Sequence, residues 1–528
     1  MIAPQEALKK CRQNIKTEWK LAFVSAFVIG LLIHLPVMAS DIPNHDGLSS
    51  MYFDQNMITS GRWFLTVACG ISSYFTLPWL IGLLALVFLA CTAVALTELL
   101  ELHDSILIVL VSGLLVAFPA IASTFAYVFT MDGYMLALLL AVLSVLFTAK
   151  YKKGFLAGSV CLAFSMGIYQ AYLPFAVLLC IYQVLVVMIE EKTIKEKLLK
   201  SLNYLYMGGI GMVLYYVILQ ILLKIQGKEL ASYQGISGMG GENAAGAGIF
   251  QTLMDMWRDF FVFTLKGNVF FNNIFSVAGV LVLVGLTALT LLWLVRKRKW
   301  WKNLGFFAIM GLLVIGVPIA SNLILLVSPN LTYHLLMRYQ WVLLPILMLA
   351  FVTRYGFAGR QDGDGKRNDD MDAWKAWVLT VAAFVLLFNY AVTDHIGYSN
   401  LEKRYEKTYA YCVRLLDRIE QTEGYYQGIP IAMVGIVGDD EFPVTDITEK
   451  VTGGMIGVSG DVLLYTADNY QAFMKNYLGA TLNFLDVETV GQIYFDEEYI
   501  AMDTFPAANS VKVVDGIMYV KTENVGRD

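Results

Sequence analysis

Charge is scarce in this sequence. Asp, Glu, Lys and Arg make up 15% of its 528 residues, too few to cover the surface of a soluble protein of that size. There are only six cysteines. They are scattered and form no CxxC pair, so no disulfide framework is encoded. Neither His45 nor His334 stands in a metal-ligand spacing. The net charge of -5 arises largely after residue 360, where acidic residues gather. The chain therefore has no basic surface suited to nucleic acid, and such a partner is excluded. Lys9, Lys10, Arg12, Lys16 and Lys20 precede the first apolar run, but no small-residue cleavage site follows, so this run reads as a retained span rather than a signal peptide.

Apolar length is abundant. Hydrophobic residues are 57% of the chain, arranged in runs at 22–39, 77–97, 105–125, 134–149, 154–171, 173–189, 204–223, 274–295, 304–326, 339–353 and 376–393. Each is about 16 to 23 residues, the length needed to cross a bilayer. The expected fold is an all-α polytopic membrane bundle of about eleven spans. Basic residues cluster at the N-terminus, at Lys150 to Lys153, Lys192 to Lys200, Arg296 to Lys302 and Arg354 to Arg367. Simple alternation puts all five clusters on one side, which the positive-inside rule makes the cytoplasm. Residues 1–21 form a cytoplasmic segment, 22–393 the membrane domain and 394–528 an extracytoplasmic domain. Within that tail, 401–420 has helical periodicity, while 429–437 and 511–520 read as strands, the latter pair turning at Asp515-Gly516. A small α/β or α+β unit follows. Its Asp439-Asp440-Glu441 run is a solvated turn rather than a metal site, having no His or Cys beside it.

Polar residues with chemical potential gather on the side opposite the basic clusters. The first loop carries Asp41 and Asp46, then Arg62-Trp63 within a 57–74 stretch that suits an interfacial helix. A carboxylate beside an apolar wall suits a general base, and a guanidinium suits a phosphate. A solvated loop with an interface-anchoring Arg-Trp pair accounts for the same residues. Asp132 and Tyr134 lie in an aromatic frame at the mouth of the fourth span, fitting either a sugar site or an interfacial belt with Asp132 as N-cap. Tyr169, Gln170 and Tyr172 sit in a short hairpin where they bind a polar ligand or cap the turn. His334 and Arg338, four apart, share a helical face and hold a lipid phosphate or anchor to headgroups. In the large loop, 235–248 is glycine-rich and flexible, and 249–263 repeats at helical spacing.

Taken in order, N-H-D-G after the first span, G-R-W before the second, F-A-Y-V-F-T-M-D-G-Y before the fourth and G-I-Y-Q-A-Y-L-P in the hairpin resemble the type II O-antigen glucosyltransferase family of bacteria, over residues 20 to 390. The resemblance implies a GT-C type membrane enzyme that takes a hexose, glucose foremost, from a polyprenyl-phosphate donor to a cell-surface glycan. It implies an inverting displacement with Asp46 as base, Asp41 in reserve, and Asp132 orienting the sugar or acceptor. Arg62, Arg338 and His334 would hold the donor phosphate, and Tyr134, Tyr169, Gln170 and Tyr172 the sugar or acceptor. A divalent ion, Mg²⁺ or Mn²⁺, is compatible with paired acids and a phosphate. A polytopic lipid or polysaccharide transporter and a non-catalytic scaffold share the same span count. The discriminating feature is a cleft open on one side only, against a polar path through the bundle.

Overall fold

The computed structural model describes residues 3, 5–6, 13–50, 58–69, 77–230, 249–267, 272–327, 332–356, 369–434, 451–459, 463–464 and 466–522. The glycine-rich 235–248 stretch and the 439–441 acidic run lie outside them. The chain is mostly helical, with α1 (Thr17–Ala39), α2 (Pro78–Leu100), α3 (Ser105–Ala117), α4 (Met131–Lys150), α5 (Gly154–Ile168), α6 (Leu173–Glu190) and α7 (Ile194–Gln226) in its first half. The helices α8 (Ile249–Phe261), α9 (Ile274–Arg298), α10 (Leu304–Ser321), α11 (Leu343–Gly356), α12 (Asp369–Gln421) and α13 (Ala467–Leu478) follow. Caps fix several starts. Asp104 accepts from the Leu107 amide at 2.8 Å, Asn273 from Phe275 and Ser276, and Thr193 from Glu196. The left-handed Gly227 closes α7.

Among the described residues, eight helices are long and apolar enough to cross a membrane, fewer than the eleven expected from apolar runs. The difference has a structural cause. Pro119, which has no amide hydrogen to give, follows the end of α3 at Ala117, and the 105–125 run becomes a 13-residue helix and a short one, Ala120–Phe125. Likewise α5 has 15 residues and α11 has 14, about 20 Å of rise each, short of a full hydrocarbon core. These half-length helices lie inside the bundle: α5 packs on α4 and α7, and α3 packs on α1 and α12.

All five basic clusters meet at one end. Lys16 pairs with Glu98 at 2.7 Å and Lys150 with Glu101 at 2.6 Å. Arg354 reaches both Glu190 and Glu101 at 2.7 and 3.1 Å. Lys200 pairs with Glu191, Lys197 donates to the Met188 carbonyl and Arg298 to the Ile189 carbonyl. The loop after α1 lies at the other end, with Asp41 and Asp46.

The helix α12 has 53 residues, about 80 Å of continuous rise, and it passes residue 394 without a break. Its far part packs against a four-stranded sheet of β1 (Pro430–Val434), β2 (Asn483–Phe484), β3 (Val511–Val514) and β4 (Ile517–Lys521), in the order β2-β1-β4-β3. Residues 435–437, the end of the expected first strand, lie outside the described residues. β1 runs parallel to β2 and β4, while β3 and β4 form an antiparallel hairpin. Positive φ at both Asp515 and Gly516 gives that hairpin the turn its twist requires. Tyr411, Leu415 and Ile419 of α12 share a core with Ile431, Phe473 and Met518. Leu48, from the loop after α1, is buried in the same core, and the short helix His45–Ser50 packs on α13.

Candidate active site

At the end of α1 the chain turns extended at Ser40 and restarts as His45–Ser50. Asn44 opens this turn by accepting the Asp46 amide at 3.1 Å. The Asp46 carboxylate stays half-exposed, 3.3 Å from His45 Nε2. Phe129 sits 3.7 Å from where a Cβ on Gly47 would be. Tyr127 lies between two charges: burial pushes its hydroxyl up, Asp46 pushes it further, and a hydrogen bond from Asn44 and the Arg404 charge pull the other way. It therefore stays protonated at neutral pH. Asp41 faces a separate water-sized pocket of about 30 Å³ with Phe129 and Tyr477, where partial desolvation raises its carboxyl.

Arg62 is held by a small network. Gly61 has φ of +78°, and a Cβ there would fall 2.5 Å from Gln170 Nε2 and 2.6 Å from the Tyr215 hydroxyl, so only glycine fits. Gln170 donates to the Ser60 carbonyl at 3.0 Å and to Tyr215 at 2.9 Å, and Tyr215 donates to the Gly61 carbonyl at 3.1 Å. The backbone is thereby fixed. The Arg62 guanidinium lies 5.5 Å from the Tyr169 ring centre and donates to the Tyr134 hydroxyl at 3.4 Å. Tyr134 and Tyr169 stack at 4.4 Å, with Tyr172 edge-on to Tyr169 at 5.4 Å. All three tyrosines are buried, and the Gln170 amide nitrogen is taken up by the Ser60 carbonyl and the Tyr215 hydroxyl. The described part of 57–74 holds a single helical turn, Leu65–Ala68, in place of the expected interfacial helix. Its Trp63 is buried against Gly167 and Phe164, because close packing on the hairpin removes it from any membrane surface.

His334 and Arg338 do not share a helical face. Between them runs the 3-10 turn Leu335–Met337, whose three residues per turn carry positions four apart to different sides. Arg338 is buried with Asp259 of α8, bonded through two nitrogens at 2.6 and 3.0 Å. Tyr333, Phe263 and Trp341 cage it at 3.8, 4.9 and 5.4 Å. Asp132 is buried in the first turn of α4, where it accepts the Gly133 amide at 2.8 Å.

His334 turns instead to a cleft of about 630 Å³, lined by His45 and Asp46 and, from the C-terminal part, by Arg404, Gly457 and Ser459. Partial burial lowers the His334 imidazole below its ordinary value, so the neutral form is favoured there. Arg404 was not singled out by its sequence, since it sits in a charge-rich helical stretch. Its signal is the i, i+4, i+8 set Asn400, Arg404, Thr408, polar residues that are all buried. Among the described residues, no three His, Cys, Asp or Glu side chains converge to hold a metal ion.

Residues 35–352 match the family model described as Glucosyl transferase GtrII, more than half of the chain. The protein belongs to the GtrII glucosyltransferase family. It is thus a membrane glycosyltransferase with several apolar helices crossing the bilayer. The chain matches no curated protein and no solved structure. The GtrII region begins inside α1 and ends inside α11, so it holds Asp41, Asp46, Arg62, Asp132, the Tyr134 to Tyr172 cluster, His334 and Arg338. Arg404 and the 453–469 lining residues of the cleft lie beyond it.

Proposed function

We propose that the protein transfers a hexose, glucose foremost, from a polyprenyl-phosphate donor to a cell-surface glycan, as an inverting GT-C type enzyme of a bacterial cell membrane. The observation that carries this is the cleft in which Asp46, half-exposed and beside His45, lines a space large enough for sugar residues. Asp46 takes the proton of the acceptor hydroxyl. The acceptor oxygen then bonds to the anomeric carbon with inversion, the bond from that carbon to the phosphate oxygen breaks, and polyprenyl phosphate leaves with the electron pair. Arg62, steadied by Tyr134 and Tyr169, offsets the departing charge, and such a donor in a dry site contributes about 3 kcal/mol to the barrier. Arg338 is set aside, because Asp259 already neutralises it. Asp132 positions the Tyr134 end of α4 and Asp41 stands one pocket away.

The five basic clusters at one end support an orientation with that end, and the N-terminus, in the cytoplasm. Asp46 and the C-terminal unit then face outward, where a lipid-linked sugar and a surface glycan are found. The half-length α3, α5 and α11, extended by their flanking turns, bring the crossings to about eleven. Mg²⁺ or Mn²⁺ on the phosphate is compatible with this chemistry, and no step above depends on it.

Transfer of labelled glucose from polyprenyl-phosphate glucose by the purified protein tests the reading. Asp46→Asn keeps shape but cannot take a proton, and its rate should fall by about 10² to 10⁴ with an unchanged melting temperature. Near wild-type turnover in that variant would remove the base assignment, and no turnover in the wild type would favour a transporter or a scaffold.

A further inference from the structure

In the reading above, Arg62 faces the departing phosphate from within the family region. Arg338 is bonded to Asp259, and Arg354 lies at the opposite end with Glu190 and Glu101. A further arginine lines the cleft itself. Arg404 is buried on α12, and together with Asp46 it acts on Tyr127. One face of α12 builds this wall. A Cβ on Gly397 would meet Val458 at 3.1 Å, Asn400 donates to Thr452 at 2.6 Å, Arg404 donates to the Gly457 carbonyl at 3.1 Å, and Thr408 donates to the Arg404 carbonyl at 2.8 Å.

The held segment in turn presses on the Asp46 end. Gly457 has φ of +89°, and a Cβ there would fall 2.8 Å from Ala126 and 3.0 Å from the Tyr127 ring, so the backbone approaches where no side chain fits. Asn469 donates to the His45 carbonyl at 3.4 Å, and Leu48 is buried in the C-terminal core. The loop bearing Asp46 is therefore fixed by residues that the family region does not contain. The chemistry at this wall is that of an anion site: a planar guanidinium matches phosphate oxygens in pairs, and its charge persists at every physiological pH.

We propose that the cleft between Asp46 and Arg404 binds the phosphate of the lipid-linked sugar, with Arg404 as its cation, so that the C-terminal unit completes the active site. This rests on the transferase reading and adds to it the residue that receives the phosphate.

Binding to the full-length protein in detergent, titrated with farnesyl phosphate, farnesol and inorganic phosphate, tests the site. The wild type should favour farnesyl phosphate over farnesol by about tenfold or more, the effect of a charge-assisted hydrogen-bond pair. Arg404→Gln should bring the two ligands to about equal affinity, and Arg404→Lys should keep part of the preference, having charge without the fork. Gly454 is exposed on the cleft wall, so Gly454→Asp adds a repelling charge without disturbing the buried stripe. It should weaken farnesyl phosphate and leave farnesol unchanged, which decides the matter should Arg404→Gln fail to fold. Farnesyl phosphate bound as in the wild type by a folded Arg404→Gln, or by Gly454→Asp, overturns the proposal. Inorganic phosphate binding as tightly as farnesyl phosphate overturns its lipid-linked part. Sugar transfer is read separately: a wild type that prefers the phosphate yet transfers no sugar keeps the Arg404 site and removes the transferase chemistry.

Discussion

Arg62 and Arg338 read alike in the sequence, each an arginine beside aromatic residues at the mouth of a span, and their described surroundings differ. Arg338 has Asp259 across two short bonds inside an aromatic cage, whereas Arg62 meets a tyrosine hydroxyl and a ring face. The first arrangement ties α8 to the bundle. Removing one partner of such a pair strands the other's charge, which costs about 3 to 5 kcal/mol in full burial. Asp259 keeps some exposure, so Arg338→Met should fall at the lower end of that range. The double variant Arg338→Met/Asp259→Leu should recover most of the loss. Thermal unfolding of the three proteins in one detergent checks this, and an Arg338→Met protein as stable as the wild type would contradict the tie. Asp259 lies 79 positions from Arg338, and nothing local to Arg338 announces it.

The clearest local signals acted over a few residues. Asp515-Gly516 makes its turn because both positions need positive φ, and 249–261 is helical as its apolar residues, recurring at helical spacing, foretell. Apolar runs were less decisive about length. Pro119 follows the end of α3, yet Pro36 and Pro318 lie inside α1 and α10, so a proline alone does not mark a boundary and the surrounding packing decides. Gly61 is the element whose replacement should cost most relative to its size. Gly61→Ala meets an unfavourable φ and displaces Gln170 and Tyr215, a loss of about 1 to 3 kcal/mol for the backbone strain. It should also move Arg62 and lower sugar transfer. Gln170→Leu keeps the glycine and loses only the two donated bonds, so it should be milder in both readouts. Equal melting temperatures for Gly61→Ala and the wild type would show that the network does not hold the arginine.

Across the whole molecule, the gathering of the basic clusters at one end was legible from alternation, because consecutive helices at bundle ends must reverse. The alliance between the first loop and the C-terminal unit was not, since a buried polar stripe such as Asn400, Arg404 and Thr408 has the composition of a solvated helix until its partner is known. Orientation can be checked on the exposed Glu488 in the first turn of Val487–Ile493. A Glu488→Cys protein should react with an impermeant maleimide added to intact cells, above the wild-type background, and labelling only after permeabilisation would reverse the orientation. The contact from Asn469 to His45 spans 424 positions, which has a consequence for biosynthesis. At about 5 to 20 residues per second, the ribosome needs roughly 20 to 85 s between delivering the Asp46 loop and delivering the segment that clamps it. The early helices can be in the bilayer throughout that interval with their acid unclamped. Competence for transfer should therefore wait for the clamping segment, and a nascent chain stalled before α13 should be inserted but inert.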